Sequence, residues 1–146
     1  VKGYYHAGPI WKGCGLSEGG IMNMQTIVPK SSFHAVTPLI PAGSDLAAAI
    51  TFYTEQMGFT IVWQGGDMAG IARGAVAFNL VVNDNRVWAE NTSFSIGVAD
   101  LDALYQEYHQ IAANVGVLET KPWGRREFHL IAPPGVAFQF YQHEVA

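Results

Sequence analysis

Cysteine is almost missing from this chain: Cys14 is the only one in 146 residues, which excludes an internal disulfide framework and a cysteine zinc site. Charge is scarce as well, at 14% of residues against 49% hydrophobic ones, a balance that excludes disorder and demands a buried core. No apolar run reaches the roughly 18 residues of a membrane-crossing helix, so the expectation is a cytoplasmic protein with no membrane partner. No basic cluster is present either. Residues 1–30 hold three lysines and one glutamate, while residues 31–146 hold five basic and eleven acidic side chains, giving the net charge of -4. An acidic body repels nucleic acid and leaves a cationic partner as the electrostatic fit, although acidity also serves solubility alone.

Glycine and aromatics are plentiful by contrast. Sixteen glycines mark many turns, and 4 Trp, 6 Tyr and 8 Phe exceed what a plain core of this size needs, leaving rings to line a pocket. Residues 1–24 contain six of the glycines without helical or strand periodicity, and read as an arm or as an extension foreign to the domain, with Met22 and Met24 as alternative starts.

From Phe33 the pattern is regular. A strand is expected over Phe33 to Ile40, a helix after a cap at Ser44 or Asp45 with Leu46, Ile50, Tyr53 and Met57 on one face, and strands over Phe59 to Gln64, Met68 to Arg73 and Ala75 to Val82. The same order returns after Asn91: a strand over Thr92 to Val98, a helix capped by Asp100 with Leu101, Leu104, Tyr105, Tyr108 and Ile111 on its apolar face, then further strands. Asp45-Leu46 repeats as Asp100-Leu101, and the Ile71 to Leu80 stretch as Ile131 to Phe140. The fold class is therefore α+β: two paired β-α-β-β-β modules, residues 33–82 and 92–143, forming a curved mixed sheet with helices outside and making one domain over 33–143. The second module is five residues longer, the surplus falling around Glu119 to Arg126, so the Lys121-Pro122-Trp123-Gly124 loop is an addition at a ligand rim. Modules of this size cannot each bury a core, so they pair within the chain or between copies, and a homodimer is expected.

Catalytic motifs are wanting. His6, His34, His109, His129 and His143 show no HExxH spacing, no serine occupies a GxSxG elbow, and Gly13-Cys14-Gly15 lacks the strand and helix that frame a phosphate loop. Asp100 and Asp102 are better read as a helix cap and a dipole partner than as an acid pair, and Glu127 as a surface ion pair with Arg125 or Arg126. The informative groups are Trp88 and Trp123 in connecting segments, which offer stacking walls for a flat heteroaromatic or cationic ligand, with Asp67, Glu90 and Glu119 as opposite charge.

The ordered pieces resemble the vicinal-oxygen-chelate, or glyoxalase-like, superfamily over nearly all of residues 33–143, and Phe52-Tyr53 to Met57-Gly58-Phe59 looks like its helix-end signature. Asp67-Met68-Ala69-Gly70-Ile71-Ala72-Arg73, Glu90-Asn91-Thr92, Asp100 to Tyr105 and Pro122-Trp123-Gly124-Arg125-Arg126-Glu127-Phe128 are similar to the bleomycin-resistance, antibiotic-binding proteins. That resemblance implies a dimer that sequesters a cationic glycopeptide drug unaltered in clefts between subunits, its bithiazole sandwiched by aromatic rings. Trp123 stands at the stacking tryptophan and Met68 where an aromatic partner is found, so the sandwich is incomplete, although a thioether still contacts a ring. The superfamily's enzymes carry four metal-directed side chains, and the resemblance places Thr37, Asn79, Ser93 and Gln139 there. Neutral hydroxyls and amides are poor ligands for a divalent metal. The reading favoured is binding without metal or cofactor, with ligand contacts at Trp123, Met68, Asp67, Glu90, Trp88 and Glu119. The enzyme alternative is a metal-dependent isomerase or dioxygenase with a histidine-centred site from His34 and His129.

Overall fold

In the structure, a computed structural model that describes residues 31–142, the capping side chains start the helices as their chemistry requires. The Asp45 carboxylate accepts from the Ala48 amide at 3.0 Å and begins α1 (Leu46–Thr51), which continues as a π-helical turn over Phe52–Gln56 and ends at Gly58 with φ +72°. Asp100 does the same for α3 (Leu101–Tyr108) through the Ala103 amide at 2.9 Å. Asn85 caps a short helix, α2 (Arg86–Glu90), through the Trp88 amide at 3.1 Å. Trp88 therefore stands on a helix rather than in an irregular connection, because the Asn83-Asp84-Asn85 run supplies a cap as well as a turn. The expected arm, residues 1–24, lies outside the described residues.

The α+β class and the two β-α-β-β-β modules are as the repeat leads one to expect, each module supplying one mixed sheet. In the first, β1 (Leu39–Pro41), β4 (Val76–Val81), β3 (Met68–Arg73) and β2 (Thr60–Gly65) lie in that order, with β1 parallel to β4. In the second, β5 (Ser93–Val98), β9 (Val136–Gln142), β8 (Arg126–Ala132) and β6 (Asn114–Val115) follow the same plan, and β7 (Glu119–Thr120) also pairs with β8. The strand expected from Phe33 pairs only over Leu39–Pro41. Pro38 has no amide to donate, and its carbonyl makes the last bond of that edge, to the Asn79 amide at 2.8 Å. The extra residues of module two break its edge strand into β6 and β7, held between by the Gly116 amide on the His129 carbonyl at 2.8 Å.

One core serves both modules. Tyr53 of the π-helical turn meets the edge of Phe138 on β9 at 6.1 Å between centroids, and Phe78 on β4 lies 4.8 Å from Phe94 and 5.7 Å from Phe138. Phe59, Tyr108, Phe128 and Phe140 complete this layer, so most of the aromatic surplus is spent on joining the modules rather than on lining a cleft. Among the described residues, the helices pack on this side of the sheets.

Candidate functional site

Side chains alternate along each strand, so the register fixes which residues share the helix-free face. On the first sheet, Trp63, Gly70, Asn79 and Leu39 form one row, and Gly65, Met68, Val81 and Pro41 the next. The Trp63 indole lies directly on Gly70: a methyl group there would stand 2.1 Å from its Nε1. A bulge between Ile61 and Trp63 turns this ring onto the face.

On the second sheet, Ser95, Gln139 and His129 form one row, and Gly97, Tyr141, Glu127 and Glu119 the next. Ser95 Oγ donates to Gln139 Oε1 at 2.9 Å. Glu127 is not a surface group: its residue is 1% exposed, with Arg125 Nε donating to Oε2 at 2.5 Å and His129 Nε2 3.5 Å from Oε1. The Arg125 guanidinium in turn lies 4.6 Å from the Tyr141 ring centroid, so it covers the carboxylate and is itself stacked. Arg126 points elsewhere, to Asp102, at 2.6 and 2.7 Å.

Trp123 crowns the β7–β8 turn, which closes through Gly124 N to the Lys121 carbonyl at 2.8 Å with Gly124 at φ +87°. Its ring is 68% exposed. Glu119, on β7 below, receives Lys121 Nζ, and this hydrogen bond, then the ammonium charge, holds its carboxyl below the usual carboxylate range. Glu90 is likewise held by Arg86 at 3.0 Å along α2. Asp67 is exposed in the β2–β3 turn without an ion-pair partner among the described residues, and Met68 beside it is half-buried. Two of the three acids expected to attract a cation are thus already neutralised. The six residues do not meet in one chain. Met68 and Asp67 belong to β3 and its turn on the first sheet, Trp123 and Glu119 to β7 and its turn on the second, and Trp88 and Glu90 to α2.

Two concavities lie elsewhere. One of about 610 Å³ opens between the β3–β4 turn, the end of β5 and α3, with Val76, Val98, Leu104 and Phe140 in its wall. A smaller one, about 260 Å³, follows the seam where Val36 and Pro38 face Phe78 and Phe94. Neither is lined by any of the six residues.

The superfamily's metal positions do not fit a metal here. Register places Ser95 opposite Gln139, whereas Ser93 faces Ala137, and Leu39, not Thr37, faces Asn79. The one amide oxygen aimed across this row is occupied by the Ser95 hydroxyl, and hydroxyl, amide and alkyl groups make a weak donor set. Among the described residues no three His, Cys, Asp or Glu side chains are placed to hold an ion, so His34 and His129 find no third ligand there.

The model of the Glyoxalase/Bleomycin resistance protein/Dioxygenase superfamily matches residues 39–140. This chain belongs to that superfamily. Among solved structures, the bleomycin-binding protein of bleomycin-producing Streptomyces verticillus, complexed with copper(II)-bleomycin, is similar at 27% identity and a TM-score of 0.68, over 79% of this chain and 100% of that one. The bleomycin resistance determinant encoded on transposon Tn5 shares the fold at 21% identity and 0.66, over 77% and 100%. So does TnmS3, an antibiotic binding protein from Streptomyces sp. CB03234, at 20% and 0.65, over 79% and 100%. No curated protein matches by sequence. The first and third of these neighbours are bleomycin- and antibiotic-binding proteins, which supports a binding role in the superfamily. Among the described residues, no helix is long and apolar enough to cross a membrane.

What the sequence missed is how these groups assemble: the burial of Glu127 against Arg125 and His129, the Ser95–Gln139 hydrogen bond, and Tyr141 beneath the Arg125 guanidinium. Strand alternation over 126–132 and 136–142 was the available signal, since it sets these side chains on one face.

Proposed function

We propose that this protein sequesters a bleomycin-like or other flat, cationic small molecule, without metal and without changing it. The observation that carries this reading is Trp123, a large apolar ring held 68% exposed on a turn fixed by two backbone hydrogen bonds, Gly124 to Lys121 and Lys121 to Arg125. Exposing such a ring forfeits its burial energy unless a ligand covers it. The likeness to a protein crystallised with copper(II)-bleomycin supports the same ligand class.

Met68 and Asp67 form the opposite wall in this reading, with Glu119, Trp88 and Glu90 at the rim. Since Met68 and Trp123 are borne by different sheets of one chain, the cleft in this reading lies between the two copies of a cytoplasmic homodimer. No nucleic acid or membrane takes part. Isothermal calorimetry with bleomycin tests the ligand, and sedimentation at the same concentrations tests the dimer. Saturable binding that weakens about tenfold or more in Trp123→Ala is expected. Absence of binding, or an affinity indifferent to that substitution, overturns the ligand or the stacking role respectively.

A further inference from the structure

The stacking turn stands beside a polar floor whose donors and acceptors are already sorted. Ser95 Oγ engages the Gln139 carbonyl oxygen at 2.9 Å, which fixes the amide and leaves its Nε2 hydrogens without an acceptor among the described residues. One strand over, His129 is directly opposite Gln139, so their Cβ atoms lie about 5 Å apart. The His129 nitrogen that faces protein is Nε2, 3.5 Å from Glu127 Oε1. A carboxylate there favours the tautomer with its proton on Nε2 and leaves Nδ1 as an acceptor. The imidazole stands on the helix-free side and is 38% exposed.

A neighbouring N–H donor and nitrogen acceptor match one common group. A primary carboxamide presents a carbonyl oxygen and its syn N–H on one edge, and can satisfy both at once. We propose that Gln139 and His129 form a site that reads a primary carboxamide of the ligand, with Glu127 as the positioning residue that sets the imidazole tautomer. A free carboxylate fits poorly, because it brings two acceptors to a donor and an acceptor. A simple cation fits poorly too, because Arg125 already neutralises Glu127. The site deepens the binding function proposed above and rests on it for the source of the amide.

Nitrogen-15 NMR of the full chain tests the proposal, with acetamide and bleomycin as separate probes. Unliganded protein should show His129 protonated at Nε2, and Glu127→Gln should erode that preference. Acetamide should shift the His129 Nδ1 and Gln139 Nε2 signals saturably, and the shifts should vanish in His129→Phe and Gln139→Leu while Trp123→Ala keeps them. Bleomycin affinity should fall about tenfold in either floor variant. A proton on Nδ1 in wild type, or amide-induced shifts that persist in both floor variants, overturns the site, and these readouts stand even if Glu127→Gln does not fold. Bleomycin binding that needs Trp123 but ignores both floor variants overturns the amide site alone. Amide shifts without bleomycin binding overturn the drug assignment and leave the site.

Discussion

Arg73 donates from Nη1 to one Glu107 carboxylate oxygen at 2.8 Å and from Nη2 to the other at 2.9 Å, tying the β3–β4 turn of one module to α3 of the other. The same Nη1 lies 2.6 Å from the Met57 carbonyl and 2.8 Å from the Tyr108 hydroxyl, which itself donates to Met57 at 2.7 Å. One guanidinium thus gathers the end of the first helix, a strand end and the second helix. Both charged side chains are about two-fifths exposed, so solvent screens the pair and its worth lies mainly in the geometry it fixes.

Arg73→Met should therefore lower unfolding stability by about 1–2 kcal/mol, and Glu107→Gln by about 0.5 kcal/mol. Urea unfolding of the two single variants and the double variant checks this. A coupling close to zero in that cycle would show that Arg73 acts through Met57 and Tyr108 alone.

The lesson for reading the sequence is carried by a few residues. Asp45, Asp100 and the Ile71/Ile131 repeat announced the helices, the modules and their order, because capping and alternation act locally. Glu127 was legible only as a surface ion pair with Arg125 or Arg126, since its position opposite Tyr141 is set by β8–β9 pairing. The Phe33 strand was misjudged in length, because β propensity says nothing of whether a partner edge is present, and Pro38 removes a donor where pairing stops. The expected meeting of Met68 with Trp123 was a statement about a cleft, and one chain places them on separate sheets.

Gly70 is a position where the missing side chain matters. Gly70→Ala should displace the Trp63 indole, since the new methyl would fall 2.1 Å from Nε1, and the tryptophan is a half-exposed side chain able to swing away. Tryptophan fluorescence should shift to the red, with a stability loss of about 1 kcal/mol. An unchanged emission spectrum would mean the indole does not rest on this glycine in solution.

Alkaline pH should expose the Tyr108 contact. Burial pushes its hydroxyl up to about 12, with Arg73 pulling the other way and Glu107 adding to the rise. A pKa raised on folding means that the protonated form is the one favoured by the fold. Its contribution is therefore complete below pH 10 and is lost as pH rises through about 12. Tyr108→Phe should flatten the fall in stability over that window, by up to about 2 kcal/mol, as read by urea midpoints at successive pH values.

Tyr53 raises the opposite case, a hydroxyl that the core would do better without. The residue is fully buried between Phe52, Phe59 and Phe138, and its oxygen has no hydrogen-bond partner among the described residues. Burial pushes its ionisation far above the ordinary tyrosine range, as expected where no group stabilises the phenolate. Tyr53→Phe keeps the ring and its edge contacts while removing the unsatisfied polar atom, so stability should rise by about 1 kcal/mol. Tyr53→Leu keeps the apolarity but loses the ring contacts with Phe138, and should cost about 1–3 kcal/mol. Thermal unfolding of both variants separates the two contributions: a loss of stability in Tyr53→Phe would place a hydrogen-bond partner or an ordered water at this hydroxyl.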